Sequence, residues 1–303
     1  MTLVFNRDFE ARYGEPVTVA DRVRRLTARN PGPFTFLGTN TFLVGENALA
    51  VIDPGPADAA HIAALLRAIG SAELRHILVS HAHRDHAAGA RLLQAQTGAP
   101  ILAARGPDAK AEIGTAGRLD AGTEHGFRPD ITLIDGMIVD GPDYRLEAVG
   151  TPGHAPDHLA FALAGEDIVF SGDHVMGWAT TAIAPPEGSM GDYLASLDKL
   201  LARPEDLYLP GHGPPVGHAH AHVRALRAHR KSREASILAR LAAGDRTIAE
   251  IVGRIYADLD PRLVGGAALS TLAHLQDLVN RGLVACDGPP EVMSRYRPTA
   301  ASG

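Results

Sequence analysis

The stretch Ser80-His81-Ala82-His83-Arg84-Asp85-His86 constrains this chain more than any other. It sets three imidazoles and a carboxylate within six residues, directly after the apolar run His76-Ile77-Leu78-Val79. Neutral imidazole and carboxylate together suit zinc and similar first-row divalent ions. In a tight loop leaving a strand, residues two apart can point the same way. His81 and His83 can therefore hold one ion while Asp85 and His86 turn toward a second. Two ions about 3.5–4 Å apart share an activated water and clamp both attacking and leaving oxygens. Isolated histidines are ordinarily solvated loop residues, but four ligand-type side chains so close together point to half of a two-metal hydrolytic site.

Length and composition set the frame for that site. The 303 residues allow one large domain plus a smaller one, with enough chain for a real core. A formal charge of −6 argues against a generic nucleic-acid binder. A single cysteine, Cys286, excludes a disulfide framework and a cysteine-rich zinc site. Arg7, Asp8, Glu10 and Arg12 interrupt the apolar residues of the first thirteen, a pattern of neither signal peptide nor membrane span, and no later run is long enough to cross a bilayer. A cytoplasmic location without membrane association is the expectation.

Taken in order, the chain alternates strand and helix. Val17–Val19, Phe34–Leu37, Thr41–Val44 and Leu49–Ile52 read as strands, ended by the turn Asp53-Pro54-Gly55-Pro56. Ala57–Ile69 has helical spacing, His76–Val79 is a short buried strand, and a helix over Ala87–Thr97 stops at Gly98 before the strand Pro100–Ala103. Residues 104–130, broken by Gly106-Pro107, Gly114, Gly117, Gly122 and Pro129, read as a long loop able to cover the site. Further strands follow at Ile131–Leu133, Tyr144–Val149, Leu159–Leu163 and Ile168–Phe170, with a helix over Met190–Ala202. Three loops then carry ligand-type residues between Gly and Pro: Gly150-Thr151-Pro152-Gly153-His154, Ser171-Gly172-Asp173-His174 and Tyr208-Leu209-Pro210-Gly211-His212-Gly213. Glycine and proline there fix tight turns and let the backbone approach an ion closely.

These motifs, in this order, resemble the metallo-β-lactamase superfamily over roughly residues 35–215. The resemblance implies an α+β fold, a four-layer αββα sandwich with a metal site at one edge of its two sheets. Carried over by position, His81, His83 and His154 hold one ion, Asp85, His86 and His212 the other, and Asp173 bridges both. Asp53, in Val51-Ile52-Asp53-Pro54-Gly55, is similar to the superfamily's aspartate that orients a metal histidine. The ions are expected to be zinc, with iron or manganese as the alternatives. Asp85 and Asp173 would be the catalytic carboxylates, holding the ions and orienting a hydroxide shared between them. Cys286 lies far from the motifs, so a lactamase site with a cysteine ligand is not expected. A bridging aspartate resembles glyoxalase II, tRNA-processing nucleases and lactonases, and a glutamate would stand at His83 in a flavodiiron oxidoreductase.

Other residues have weaker claims. His158 and His174 read either as ordinary buried histidines or as groups beside the site, and Trp178 follows the Asp173 loop closely enough to line the pocket. His218, His220 and His222 read as solvated histidines at a helix start, and His125 and His229 carry no functional expectation.

After His212 the texture becomes helical: Ala219–Ala243, Thr247–Tyr256 and Ala267–Arg281, then a wing strand Leu283–Cys286. The expected division is a hydrolase domain over 1–218 and a linking helix with a winged helix over 219–303. This arrangement resembles the branch of the superfamily typified by β-lactamase-like protein 2, whose linking helix is similar to His229-Arg230-x-x-Arg233-Glu234 here. The third helix offers mainly His274, Gln276, Asn280 and Arg281 to a groove, so sequence-specific DNA binding by a metal-dependent regulator is the disfavoured reading. Arg227 and Lys231, with Arg224, share a helix face that could hold phosphates of coenzyme A or a single-stranded nucleic acid. The expected function is hydrolysis by a metal-bridging hydroxide, favoured on thioester or related acyl substrates. Phosphodiester cleavage, as by an endoribonuclease on single-stranded RNA, is the alternative. An aromatic content of 5% leaves few stacking platforms for bases.

Overall fold

The computed structural model describes residues 3–106, 122–124 and 126–299. Residues 107–121 and 125, which include most of the long loop and His125, lie outside the described residues.

Two sheets form the centre. The first runs in sequence order through β1 (Val17–Ala20), β2 (Val23–Thr27), β3 (Asn40–Gly45), β4 (Ala48–Ile52), β5 (Glu73–Val79), β6 (Ile101–Ala103) and β7 (Ile131–Thr132). It is antiparallel through β4 and parallel from β4 to β7. The second comprises β8 (Ile138–Gly141), β9 (Tyr144–Gly150), β10 (Leu159–Leu163), β11 (Ile168–Gly172) and β12 (Leu207–Pro210) in the spatial order β12-β11-β10-β9-β8. Its β11–β12 pair is parallel because the helix α4 (Met190–Leu201) lies between those strands in the chain.

The two-residue period of the strands sorts their apolar side chains between layers. Leu43, Leu49, Val51, Ile77 and Val79 pack outward against Ile62, Leu65 and Ile69 of α1 (Ala59–Ile69) and Leu93 of α3 (Ala90–Thr97). Their neighbours Phe42, Val44, Ala50, Ile52 and Leu78 point the other way and meet Leu146, Ala148, Phe161 and Phe170 of the second sheet. On that sheet's far face, Val149, Ala160, Val169 and Tyr208 meet Leu194 and Leu197 of α4, and Val223 and Leu226 of α5 (Ala219–Ala242). The four layers expected from sequence are therefore present.

Helix α5 belongs to two cores. Its Ile237 and Leu241 pack with Ile248, Ile251 and Val252 of α6 (Ile248–Ile255), with Leu269, Leu272, Leu275 and Leu278 of α7 (Val264–Asn280), and with Val284 and Tyr296. The antiparallel pair β13 (Val284–Cys286) and β14 (Tyr296–Pro298) forms the wing. Among the described residues, no helix is long and apolar enough to cross a membrane.

Several elements depart from the sequence expectation. Phe34–Leu37 forms no strand: Phe36 has a positive φ of 54° and its ring stacks on Trp178 at 5.0 Å. Asn30 holds that segment as a turn, its side chain accepting from Thr39 N–H while its carbonyl accepts from Thr35 Oγ1. The helix expected over Ala87–Thr97 is split. A short α2 (Arg84–Ala87) already contains Asp85 and His86, and Gly89 lies where a Cβ would come within 2.7 Å of the Pro54 carbonyl. Strand β2 escaped the pattern because Arg24 and Arg25 interrupt it. Arg25 is nonetheless buried, donating to the Glu10 carbonyl and lying over the Phe9 ring.

Candidate metal centre

The four segments that carry the candidate ligands meet where strand ends of both sheets converge. His81 and His83 leave β5, and Asp85 and His86 start α2. His154 follows β9, Asp173 follows β11 and His212 follows β12. All seven side chains are buried.

They form two clusters. His81 Nε2 and His154 Nε2 lie 2.9 and 3.1 Å from His83 Nδ1, three nitrogens facing one point. His86 Nε2 and His212 Nε2 lie 3.6 and 3.2 Å from Asp85 Oδ2 and face a second point. Asp173 stands between them. Its Oδ1 is 3.4 Å from both His86 Nε2 and His212 Nε2, and its Oδ2 is 3.7 Å from His154 Nε2. One carboxylate thus offers an oxygen to each cluster, as bridging two ions requires.

The nitrogens turned away from these points are also held. His81 Nδ1 donates to Ser80 Oγ at 2.9 Å, and Ser80 Oγ in turn donates to Asp53 Oδ2. His86 Nδ1 donates to Asp53 Oδ2 at 2.9 Å, His154 Nδ1 to the Ala182 carbonyl at 2.7 Å and His212 Nδ1 to the Gly38 carbonyl at 3.2 Å. His83 Nε2 faces Glu187 at 3.5 Å. Bonds of this kind fix tautomer and ring angle, and leave the opposite nitrogen unprotonated and free to ligate.

Local backbone chemistry makes the crowding feasible. A Cβ at Gly211 would lie 2.6 Å from His86 Cε1 and 2.7 Å from Asp173 Oδ1, so only glycine leaves these two side chains their place. Gly153, at φ 138°, lies where a Cβ would strike the Tyr193 backbone at 2.4 Å.

Electrostatics agree with a cation site. Burial alone would raise the carboxyl groups, yet His86 and His212 pull Asp85 down to about 2 and hold Asp173 well below its usual range. Burial opposes charge on the histidines too, but Asp173 and Asp85 push His212 up to about 9, and the two with Asp53 raise His86. His86 Nε2, His212 Nε2 and Asp173 Oδ1 are buried without hydrogen-bond partners. Buried anions facing orphaned donors and acceptors fit divalent ions in place of protons.

The residues expected beside the site divide into three kinds. Asp53 buttresses it directly, taking Ser80 N–H at 2.7 Å besides Ser80 Oγ and His86. His158 accepts from the Asp173 backbone N–H at 3.1 Å and donates to Thr151 Oγ1 at 2.8 Å, so a neutral imidazole locks the Asp173 loop. Burial drives its pKa well down, consistent with that role. His174 is fully buried behind the loop against the Tyr193 ring, and burial lowers it to about 3. Trp178, with Pro33, Phe34, Met176 and Ala182, walls a cavity of about 140 Å³ that opens on His83, Asp85, His154 and Asp173. Arg227 and Lys231 do not line that cavity: Arg227 pairs with Asp198 at 2.6 Å and Lys231 with Glu234 at 3.2 Å.

The remaining histidines of the α5 start are not uniformly solvated. His218 is exposed, whereas His222 Nε2 donates to the Met176 carbonyl at 2.9 Å. His274 is buried and Arg281 is held by Glu234 and Asp277, so neither is offered to a nucleic-acid groove. Where the long loop returns, residues 122–124 lie against the first ligand segment: Arg84 N–H donates to the Gly122 carbonyl, and Thr123 Oγ1 to Glu187.

Sequence reasoning missed Asn40, Glu187 and Thr181, and read Arg230 only as part of the linking helix. Asn40 bonds the Pro210 and Gly213 carbonyls at 3.0 and 2.9 Å and so clamps the His212 turn across 170 residues of chain. No local pattern signals such a partner.

Comparison with known proteins finds the same two-part organisation. The metallo-beta-lactamase superfamily profile matches residues 34–212, and that of the beta-lactamase associated winged helix domain matches 247–289. The beta-lactamase-like protein 2 homolog of Caenorhabditis elegans is 32% identical over 278 residues, covering 89% of this chain and 88% of that protein. An atrochrysone carboxyl ACP thioesterase of Claviceps purpurea is 28% identical over 254 residues, covering 79% and 74% respectively. Among solved structures, a beta-lactamase domain protein from Burkholderia ambifaria superposes with a TM-score of 0.79 at 22% identity, covering 96% of both chains. The chain belongs to the metallo-beta-lactamase superfamily, as a metal-dependent hydrolase of the beta-lactamase-like protein 2 kind with a C-terminal winged helix.

Proposed function

We propose that the chain is a dinuclear hydrolase of thioester or related acyl substrates. His81, His83 and His154 would hold one ion, Asp85, His86 and His212 the other, with Asp173 between them. The observation that carries this reading is Asp173, whose two oxygens face different clusters. Zinc suits the imidazole and carboxylate donors. Two such ions, when bound, would supply Lewis acidity and lower the pKa of a bound water.

The chain's own groups do the rest. Asp53, Ser80, Ala182 and Gly38 keep the imidazoles turned inward, so no reorientation is needed during reaction. Pro33, Phe34, Met176 and Trp178 offer an apolar wall beside the polar centre, which suits an acyl chain and sheds water from it. Phe36 stacks on Trp178 and fixes that wall. The thioesterase named among the relatives supports acyl chemistry. Against phosphodiesters, Arg227 and Lys231 are engaged by carboxylates of their own.

Metal-reconstituted protein should be assayed on acyl thioesters, lactones, phosphodiesters and short single-stranded RNA. Turnover should be highest on a thioester and abolished by His83→Ala. Preference for RNA or phosphodiesters would overturn the substrate assignment, and activity surviving His83→Ala would overturn the metal assignment.

A further inference from the structure

A buried arginine outside the ligand set has no place in the hydrolytic reading above. Arg230, near the middle of α5, is only 4% exposed, and no carboxylate pairs with it among the described residues. Burying a guanidinium without a counter-charge is costly, and its Nε is buried without a partner, so the bond its Nη2 does make carries the side chain's placement. Its Nη2 donates to the Thr181 carbonyl, and its guanidinium lies over the Tyr193 ring at 5.4 Å.

Thr181 sits at a junction. Its hydroxyl donates to the backbone carbonyls of Asp173 and His174 at 2.8 and 3.0 Å. The next carbonyl, that of Ala182, receives His154 Nδ1 at 2.7 Å. Two consecutive residues therefore tie the bridging carboxylate's loop and a histidine of the other cluster to one short strap, and Arg230 grips that strap from behind. Tyr193 completes the backing, with its backbone against Gly153 and its ring 4.6 Å from His174.

We propose that Arg230 is a positioning residue: through the Thr181 carbonyl it holds the strap that aims His154 and Asp173 at the metals. It sits on the helix shared by both cores. This rests on the metal-centre assignment, and the test separates the two.

The full-length protein is stripped of metal and titrated with cobalt(II), following its visible absorption, and with zinc in competition with a chelator. The variants are Arg230→Met, Arg230→Lys, Arg227→Ala on the exposed face of the same helix, Leu226→Ala as a packing control, and His83→Ala as reference. Arg230→Met should weaken zinc binding by about tenfold, at the low end of losses for residues that orient ligands, and should change the cobalt spectrum. Arg230→Lys, which keeps a donor, should recover part of both. Arg227→Ala should change neither, and Leu226→Ala should lower the melting temperature with the cobalt spectrum unchanged. Wild-type affinity and spectrum in Arg230→Met would overturn the proposal, as would matching spectral changes in Arg230→Met and Leu226→Ala. If His83→Ala also bound cobalt normally, the metal assignment itself would fall.

Discussion

Asp53 ties two of the clustered histidines, His86 directly and His81 through Ser80, to one carboxylate. It adopts a positive φ of 52°, is 2% exposed and receives three hydrogen bonds, from Ser80 N–H, Ser80 Oγ and His86 Nδ1. Replacing it with asparagine preserves shape but removes the charge that holds His86 and, through Ser80, His81. Asp53→Asn should weaken metal binding by about 10- to 100-fold, the usual loss for a partner that orients a ligand, as measured by chelator competition. At this scale the convergence of the seven side chains was legible because each is a metal-type residue set in a strand-end turn, several of them bounded by Gly and Pro. Asn40 and Glu187 were not, because their partners, Pro210 and His83, lie far away in the chain and only the fold brings them together.

Among the elements, those whose local signals agree with their packing were readable. Thr247-x-x-Glu250 announces a helix start, and both halves of the capping box form: Thr247 Oγ1 accepts from Glu250 N–H, and Glu250 accepts from Thr247 N–H at 2.9 Å. Thr247→Ala should cost about 1 kcal/mol of stability in urea unfolding while leaving thioester turnover unchanged. Helix α5 was legible as a helix but misleading as a surface. Val223, Leu226, Arg230, Ile237 and Leu241 share its buried stripe, which carries Arg230 inward while Arg227 stays outside. Counting basic residues by face picked out the solvated ones, whereas reading the apolar stripe through position 230 singles out the buried one. Phe34–Leu37 misled in the opposite way, since its strand-like composition serves to cover the site and not to extend a sheet.

Across the whole molecule, the αββα layering followed from motif order and the winged helix from the three helices and wing strand after His212, but the way the two cores share α5 and α7 did not. Ala273 of α7 packs in the core beneath the second sheet while its neighbours pack in the C-terminal core. Beside it, His274 is 2% exposed, and burial with nearby Arg230 holds its pKa down at about 3. Below pH 6.5 the unfolded chain therefore gains a proton at this position that the folded chain refuses, and stability falls with falling pH by about 1.4 kcal/mol per unit. His274→Leu should flatten the acid limb of the stability curve by about one proton between pH 6 and 4, as read from urea unfolding of metal-free protein. Full retention of the wild-type slope would show that the imidazole titrates normally in the folded state.

On the proposed reading, two ions held on either side of Asp173 would make this site a hydrolase of acyl thioesters. Its most direct test is a titration of metal-free protein with zinc, following hydrolysis of an acyl thioester. The expected result is no turnover without metal and a rise that saturates at two equivalents per chain. Full activity in the metal-free protein, or saturation at a single equivalent, would contradict it.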